Sequence, residues 1–339
     1  MAHIIIAGRD EAFDCAEDDT IMRAAVRAGL GFPYECNVGS CGNCRFELVE
    51  GTVSHLRPDP PGLSERDRLR NRHLGCQARP SGDCRIKVTL RDQYRSLHRP
   101  HRTGAVLARR FAVTHDIHEF RFVLDDPQPF RPGQYALLHI PGVDGGRAYS
   151  MCNVAAGGAE WHFQIRRVPG GAATGALFAG EPGLRIGIDG PYGMAYLRED
   201  APRDILCLAG GSGLSPMVSI LRGAASSPAL RDRTIHFLYG GRTARDICGR
   251  SFLEELPGFG TRIHFDAAVS MPESGGADGS AAWAGRTGFV HDLARDLHGE
   301  ALAGFEIYFA GPPAMAEAVQ RMLLERKVPP EQIHFDQFF

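Results

Sequence analysis

Cys36-Asn-Val-Gly-Ser-Cys41-Gly-Asn-Cys44, joined later by Cys76, is the stretch around which the chain is organised. A C-x4-C-x2-C run with a distant fourth cysteine is the plant-type spacing for the thiolates of a 2Fe–2S cluster. Two irons need four thiolates within a few ångströms, so Cys36, Cys41 and Cys44 share one wrapping loop and Cys76 comes from elsewhere. Gly39 and Gly42 fall between the ligands, where the backbone must turn tightly and aim N–H groups at sulfur. Structural zinc presents paired short spacings, and no second pair exists here. Zinc and four unrelated thiols are the weaker alternatives.

Working outward, 339 residues exceed one ordinary core, which points to two or three domains at roughly 100–200 residues each. A hydrophobic share of 43% and a charged share of 23% are those of a soluble globular protein. The formal net charge of −2 speaks against general affinity for nucleic acid or anionic membrane. The opening residues are a short apolar run followed by charge, read as a first strand rather than a signal peptide. No run approaches the roughly 18–20 apolar residues of a membrane span. The five remaining cysteines (Cys15, Cys84, Cys152, Cys207 and Cys248) stand singly in apolar contexts. They read as reduced core thiols, which implies a cytoplasmic location.

Residues 1–95 form one small domain in this reading. Strand signals at 4–7 and 12–15 precede a helix at 21–28, capped by Asp19 or Thr20 and stopped at Gly29. After the cysteine loop come a strand at 45–49, a capping box at Ser64–Asp67 opening a short basic helix, Cys76, and a strand at 85–90. Residues 94–103 are polar, basic and contain Pro100. They read as a linker (placed at 96–103 between the domains) whose histidines, His98 and His101, are solvated.

From 104 to 200 the pattern is six short strands, at 105–113, 118–124, 134–140, 148–153, 161–168 and 184–188, separated by Gly/Pro turns. That is the signature of an antiparallel barrel. Within it, Arg147-Ala-Tyr-Ser150 opens a strand, and Val168-Pro-Gly-Gly-Ala-Ala-Thr174 leaves a strand for a helix whose N-terminal N–H groups could hold a pyrophosphate. Gly190-Pro-Tyr-Gly193 closes the unit. Beyond residue 201 strands alternate with helices: strands at 204–209, 234–239, 262–269 and 305–310, and a helix at 313–325. This predicts a doubly wound parallel sheet with its ligand site at the strands' carboxyl ends. Gly210-Gly-Ser-Gly-Leu-Ser-Pro216, Tyr239-Gly-Gly-Arg242 and Ala310-Gly-Pro-Pro-Ala-Met315 all lie at such ends, with Ser215 expected as N-cap and Pro216 in the first turn. Residues 271–284, rich in Gly, Ser and Ala, read as a surface loop.

These pieces, in this order, resemble a family. A plant-type ferredoxin, a flavin barrel with RxYS and a pyridine-nucleotide domain with GGxGxxP resemble the NADH-dependent reductase components of bacterial multicomponent ring-hydroxylating oxygenases, of the toluene monooxygenase and carbazole dioxygenase kinds. Phe32-Pro-Tyr-Glu-Cys36, Pro60-Pro-Gly-Leu63, Asn71-Arg-His-Leu74, Arg147 to Met151, Ala310 to Met315 and the terminus Gln332-Ile-His-Phe-Asp-Gln-Phe-Phe339 carry the likeness essentially end to end. The resemblance implies a β-grasp (α+β) ferredoxin domain, a flavin barrel and an α/β nucleotide domain, at 1–95, 104–200 and 201–339.

By the same resemblance the cofactors are FAD, the 2Fe–2S cluster and NADH. Arg147 would meet the flavin phosphate, its planar fork suiting a bidentate contact. Tyr149 and Ser150 would lie against the isoalloxazine, with Ser150 near its redox-active N5, and Ala148 would be a further cofactor-binding residue. Ile165, Arg166 and Val168 would also bind the cofactor, and Gly171, Ala172, Ala173 and Thr174 would hold the pyrophosphate. Gly211, Gly213 and Pro216 would shape the nicotinamide and pyrophosphate end of the NADH site, with Arg242 toward the adenosine half and Ala310, Gly311 and Pro312 as further cofactor-binding residues. Phe338 or Phe339 would cover the flavin face where nicotinamide enters. Ala310 replaces a cysteine common in related flavin reductases, which implies looser nicotinamide positioning. Arg242 and Arg245 leave NADPH open on the residues alone.

The function implied is hydride transfer from NADH to FAD and single-electron transfer through the cluster. The acceptor would be a Rieske-type ferredoxin or an oxygenase or hydroxylase component, in an aromatic-ring dioxygenase or a diiron monooxygenase system. A reductase for a cytochrome P450, a general diaphorase and a redox sensor without turnover are the alternatives. No acid–base pair stands out, and His3, His55, His73 and His115 read as surface or satisfied residues. A monomer, with neither nucleic acid nor membrane as partner, is the default expectation.

Overall fold

The computed structural model describes residues 1–272 and 283–338. Phe339 and most of the stretch expected as a loop at 271–284 lie outside the described residues. By contact the chain divides into two compact units, Met1–Thr103 with Ala136–Ala148 and Gly187–Met194, and Gly104–Tyr135 with Tyr149–Ile186 and Ala195–Phe339.

In the first unit, β1 (Ala2–Ile6) pairs antiparallel with β2 (Ala12–Cys15). Helix α1 (Ile21–Arg27) presents a run of buried residues to the core and ends before Gly29, whose φ of +83° ends the helix in a conformation that suits glycine. Then follow β3 (Arg45–Glu50), β4 (Val53–His55), α2 (Glu65–Leu69), β5 (Arg72–Leu74), β6 (Ala78–Pro80) and β7 (Cys84–Lys87). Five strands make one sheet in the order β2-β1-β7-β3-β5. The capping box forms as read: Ser64 Oγ accepts from the Asp67 N–H at 3.2 Å, and the Asp67 carboxylate accepts from the Ser64 N–H at 3.3 Å.

The barrel strands are β8 (His101–Ala112), β9 (Ile117–Leu124), β10 (Tyr135–His139), β11 (Arg147–Ser150), β12 (Glu160–Arg166) and β13 (Arg185–Tyr192), with helix α3 (Ala172–Ala179) between the last two. Their order is β11-β10-β13-β8-β9-β12, and a bridge between Met151 and Phe163 brings the two edges of this ribbon together. The last residues of the polar stretch read as a linker therefore open β8, where exposed His101 and Arg102 precede buried Thr103. Their polarity reflects an open strand end rather than an unstructured chain.

The remaining elements are β14 (Asp204–Gly210), α4 (Leu214–Ser226), β15 (Ile235–Gly241), α5 (Arg250–Glu254), β16 (Ile263–Val269), β17 (Arg286–Thr287), α6 (Val290–His298), β18 (Phe305–Gly311), α7 (Pro313–Glu325) and β19 (Ile333–Gln337). The sheet order is β17-β16-β15-β14-β18-β19, all pairs parallel. Buried side chains pack on both faces, around Leu214, Met217 and Leu221 on one and Leu293, Val319 and Leu323 on the other. Strand order reverses between β14 and β18, and such a switch point opens a ligand crevice at the carboxyl ends.

Near the opposite ends of these strands, His236 stacks on His264 at 5.1 Å and meets His298 edge-on at 4.6 Å. Burial, and then the neighbouring imidazoles, push His236 down to about 4 from its ordinary 6.5. The unfolded chain therefore protonates this ring more readily, so its stabilising share is intact above pH 6.5 and drains away as pH falls toward 4. We expect a loss on the order of 1 kcal/mol across that window, discounted for partial exposure. His236→Gln should flatten the pH dependence of thermal unfolding there.

Candidate functional site

The cysteine loop joins α1 to β3, and Cys76 arrives between β5 and β6. Cys36 and Cys41 are within hydrogen-bond reach of each other, as are Cys44 and Cys76. The N–H groups of Ser40 and Cys41 point at Cys36 Sγ from 3.4 and 3.3 Å, and Gln77 Nε2 points at Cys76 Sγ from 3.6 Å. The Cys41 thiol and the backbone N–H groups of Val38, Cys41 and Ser40 outweigh burial and hold the Cys36 thiol below its usual range. Gly42 has φ +79°, and a Cβ there would stand 2.7 Å from the Gly62 carbonyl. Only glycine serves at that turn.

Among the described residues, His115, Asp116 and Asp246 are the one set of three or more Cys, His or carboxylate groups whose ligand atoms all lie within 4.8 Å of one another. The four sulfurs are thus set out as two pairs, wider overall than the about 3.8 Å edges of a zinc tetrahedron. That layout suits two irons, and the residues fit a 2Fe–2S cluster. The acidic set around His115 has other work: Asp116 takes the Arg166 guanidinium at 2.6 Å, and Asp246 caps the turn at Thr243. Burial opposes ionisation of Asp246, but the Thr243 N–H and hydroxyl outweigh it and hold the carboxyl below its usual range.

Along the barrel, Arg147 is exposed and its Nη1 donates to the carbonyls of Asp144, Gly145 and Gly146 at 3.0–3.4 Å. Ala148 and Tyr149 are half-buried and Ser150 is buried. Ile165 is buried in β12 and Val168 is exposed. The Thr174 hydroxyl is committed to its own loop: it accepts from the Val168 N–H at 3.2 Å and lies 3.3 Å from the Gly171 carbonyl. Helix α3 begins after Gly171 with no side-chain cap, leaving the first-turn N–H groups of Ala172 and Ala173 available to an anion. The loop and helix end fit a flavin pyrophosphate.

Ser215 is not the N-cap. That position belongs to Gly213, and Ser215 sits inside α4, its hydroxyl donating to the Ser150 carbonyl at 2.6 Å and accepting from the Gln164 N–H at 3.2 Å. One buried hydroxyl thus ties the nucleotide helix to β11 and β12, and local sequence carries no sign of so distant a partner. Ser215→Ala would strand the Ser150 carbonyl, and we expect a cost of about 1–3 kcal/mol in denaturant unfolding.

The switch-point crevice is a cavity of about 470 Å³ that gathers all three glycine motifs: Gly210 and Gly211, Tyr239 to Arg242, and Pro312 with Met315. Asp116, Arg166, Asp246, Phe289 and His291 complete its wall. Tyr239 donates its hydroxyl to the Gly211 carbonyl at 3.1 Å, where Gly211 has φ +58°. Gly213 and Pro216 are buried behind this wall rather than on it, as are Ala310 and Gly311. The Phe338 N–H donates to the Gly311 carbonyl at 3.2 Å, which holds this aromatic residue at the carboxyl end of β18. Arg242 is exposed, its Nε 4.0 Å from Asp246. The cavity's place and its glycine rim fit a dinucleotide. Asp116, Phe289 and His291 were missed in the sequence because none belongs to a glycine motif.

Comparison with known proteins bears on these three sites. Residues 4–81 match the 2Fe-2S iron-sulfur cluster binding domain, 104–196 the oxidoreductase FAD-binding domain and 207–321 the oxidoreductase NAD-binding domain. The chain is 39% identical to ferredoxin–NAD(P)(+) reductase CarAd of Metapseudomonas resinovorans, over 96% of each chain. The chain belongs to the reductase components of multicomponent oxygenase systems. This reductase is also 38% identical to the ferredoxin–NAD(+) reductase component of the alkene monooxygenase system of Xanthobacter autotrophicus, over 96% of its own length and 98% of the relative's. A solved ferredoxin reductase of carbazole 1,9a-dioxygenase superposes with a TM-score of 0.90 at 36% identity, covering 100% of this chain and 98% of that one. The reductase is therefore an oxidoreductase with a 2Fe–2S domain, an FAD-binding barrel and an NAD-binding domain. No helix among the described residues is long and apolar enough to cross a membrane.

Proposed function

We propose that the reductase draws hydride from NADH and hands single electrons to a Rieske-type ferredoxin or to an oxygenase or hydroxylase component, through a transient complex. The observation that carries this reading is one chain holding both a two-by-two thiolate cradle and a switch-point crevice. When bound, flavin and cluster together convert a two-electron donor into a one-electron supply.

The chain's own residues position and tune. In this reading Ser150 and Tyr149 lie against the flavin ring, Arg147 meets the flavin phosphate, Ala148, Ile165, Arg166 and Val168 also bind the cofactor, and Gly171 to Thr174 hold its pyrophosphate. Gly211, Gly213 and Pro216 shape the nicotinamide and pyrophosphate end, Ala310, Gly311 and Pro312 also bind the cofactor, Arg242 faces the adenosine half, and Phe338 or Phe339 shields the flavin. The proposed domains are 1–95, 104–200 and 201–339, with 96–103 between them. Asp246 beside Arg242 supports NADH over NADPH, because a 2′-phosphate would meet a carboxylate there. A cytoplasmic monomer completes the proposal.

The test is NADH-driven reduction of a purified Rieske-type ferredoxin and a purified diiron hydroxylase, followed in their visible spectra. Fast transfer to the Rieske protein alone places the reductase in a dioxygenase system, and to the hydroxylase alone in a monooxygenase. Transfer to neither, with normal dye reduction, contradicts the proposed acceptor class and turns attention to a cytochrome P450.

A further inference from the structure

Arg23 is an unusual arginine. It lies on α1, is 7% exposed, and donates twice to Asn37: from Nε to Oδ1 at 2.9 Å and from Nη2 to the carbonyl at 3.1 Å. Neither partner is charged. The three buried carboxylates of the same unit, Asp19, Asp67 and Asp189, are engaged by other arginines, Asp67 by Arg45 at 3.0 Å. Arg27 reaches Asp19 at 2.9 Å and Asp189 at 2.7 Å, and Arg102 reaches Asp19 at 2.9 Å while also pairing with exposed Asp18. Among the described residues Arg23 is thus a buried cation with no ion pair within 4.0 Å, although its charge helps to lower both the Asp189 carboxyl and the Cys76 thiol from their usual ranges. A guanidinium does not shed its proton to escape this cost, so an anion is due nearby.

A second, independent observation points the same way. Asn37, directly beside Cys36, is 1% exposed and its Nδ2 has no hydrogen-bond partner. Its φ of +55° holds it in the left-handed region, a conformation that the two bonds from Arg23 secure. A stranded donor and an unpaired cation, joined through one residue of the ligand loop, together describe a cradle for negative charge.

We infer that Arg23 is the counter-ion of the iron–sulfur cluster, a positioning residue that sets its reduction potential through Asn37. The inference rests on the reading of the cysteine loop as a 2Fe–2S site. Two ferric ions, two sulfides and four thiolates sum to a charge of −2. Uptake of one electron from the reduced flavin converts one ferric ion to ferrous and takes the sum to −3. Arg23 stays at +1 throughout, so its attraction is stronger to the reduced form and raises the potential. Because the guanidinium is buried, salt screens it little.

The experiment is spectroelectrochemical titration of the cluster in the flavin-loaded holoprotein, with the flavin couple as internal reference. Arg23→Gln, which removes the charge but keeps an N–H donor, is expected to shift the reduction equilibrium about tenfold toward the oxidised form, 59 mV for one electron. Arg23→Lys keeps the charge and should shift it less than about twofold. If Arg23→Gln fails to hold a cluster, Asn37→Asp retains both hydrogen bonds while cancelling the charge, and should lower the potential in the same sense. An unchanged potential in Arg23→Gln, or in Asn37→Asp where that variant is needed, overturns the inference. A wild-type protein whose reconstituted loop shows no 2Fe–2S spectrum overturns the cluster reading instead.

Discussion

Cys41→Ser should leave a reductase that oxidises NADH with a dye yet delivers almost no electrons to a protein acceptor. Cys41 faces Cys36 and supplies one of the backbone N–H groups on its sulfur. Serine keeps that N–H, but its oxygen is a harder ligand than thiolate and leaves one iron short of its preferred donor. The glycines that shape the loop are untouched, as is the crevice built by β14, β15 and β18. We therefore expect loss of the cluster's visible bands and electron paramagnetic signal, a drop of at least about a hundredfold in acceptor reduction, and dye activity within about twofold of wild type. If dye activity vanished while FAD stayed bound, the proposed electron order would be wrong.

Gly213→Val should disable the other end of the chain. The backbone of Gly213 is in an ordinary conformation, so the demand is for space. A Cβ there would drive into the Ala310 carbonyl at the end of β18, with the next backbone nitrogen, Gly311, 3.0 Å away. Neither atom is the far end of a flexible side chain, so α4 or β18 must shift. That shift falls across the switch point, moving Gly211 and Pro312 on the cavity wall. We expect a stability cost of about 1–3 kcal/mol or more and a loss of at least about a hundredfold in kcat/KM for NADH. Cluster spectra should be retained. Unimpaired NADH oxidation would mean that the crevice is not the nucleotide site.

Much of this was legible in the chain. The cysteine spacing announced the cradle because metal ligands on one loop leave a local signature. The order β14 to β18 and the glycine motifs at strand ends announced the crevice because both are periodic, short-range patterns. What stayed hidden was long-range. Arg23 reads as one more polar position on a short helix, and nothing in its neighbours shows that Asp19 and Asp189 are already engaged by Arg27 and Arg102. Ser215 before Pro216 looks like a cap, because its bond to Ser150 spans residues far apart in sequence. The strand beginning at His101 looked like linker, since an open strand end is polar for the same reason a linker is.

The central claim is that electrons from NADH reach the cluster only through the flavin. The direct test is anaerobic addition of NADH to two preparations of the wild-type protein, one holding FAD and one stripped of it, with the cluster followed by electron paramagnetic resonance. The account predicts a reduced-cluster signal in the FAD-bound protein and none in the flavin-free protein until FAD is restored. Reduction of the cluster by NADH in the flavin-free protein would contradict it.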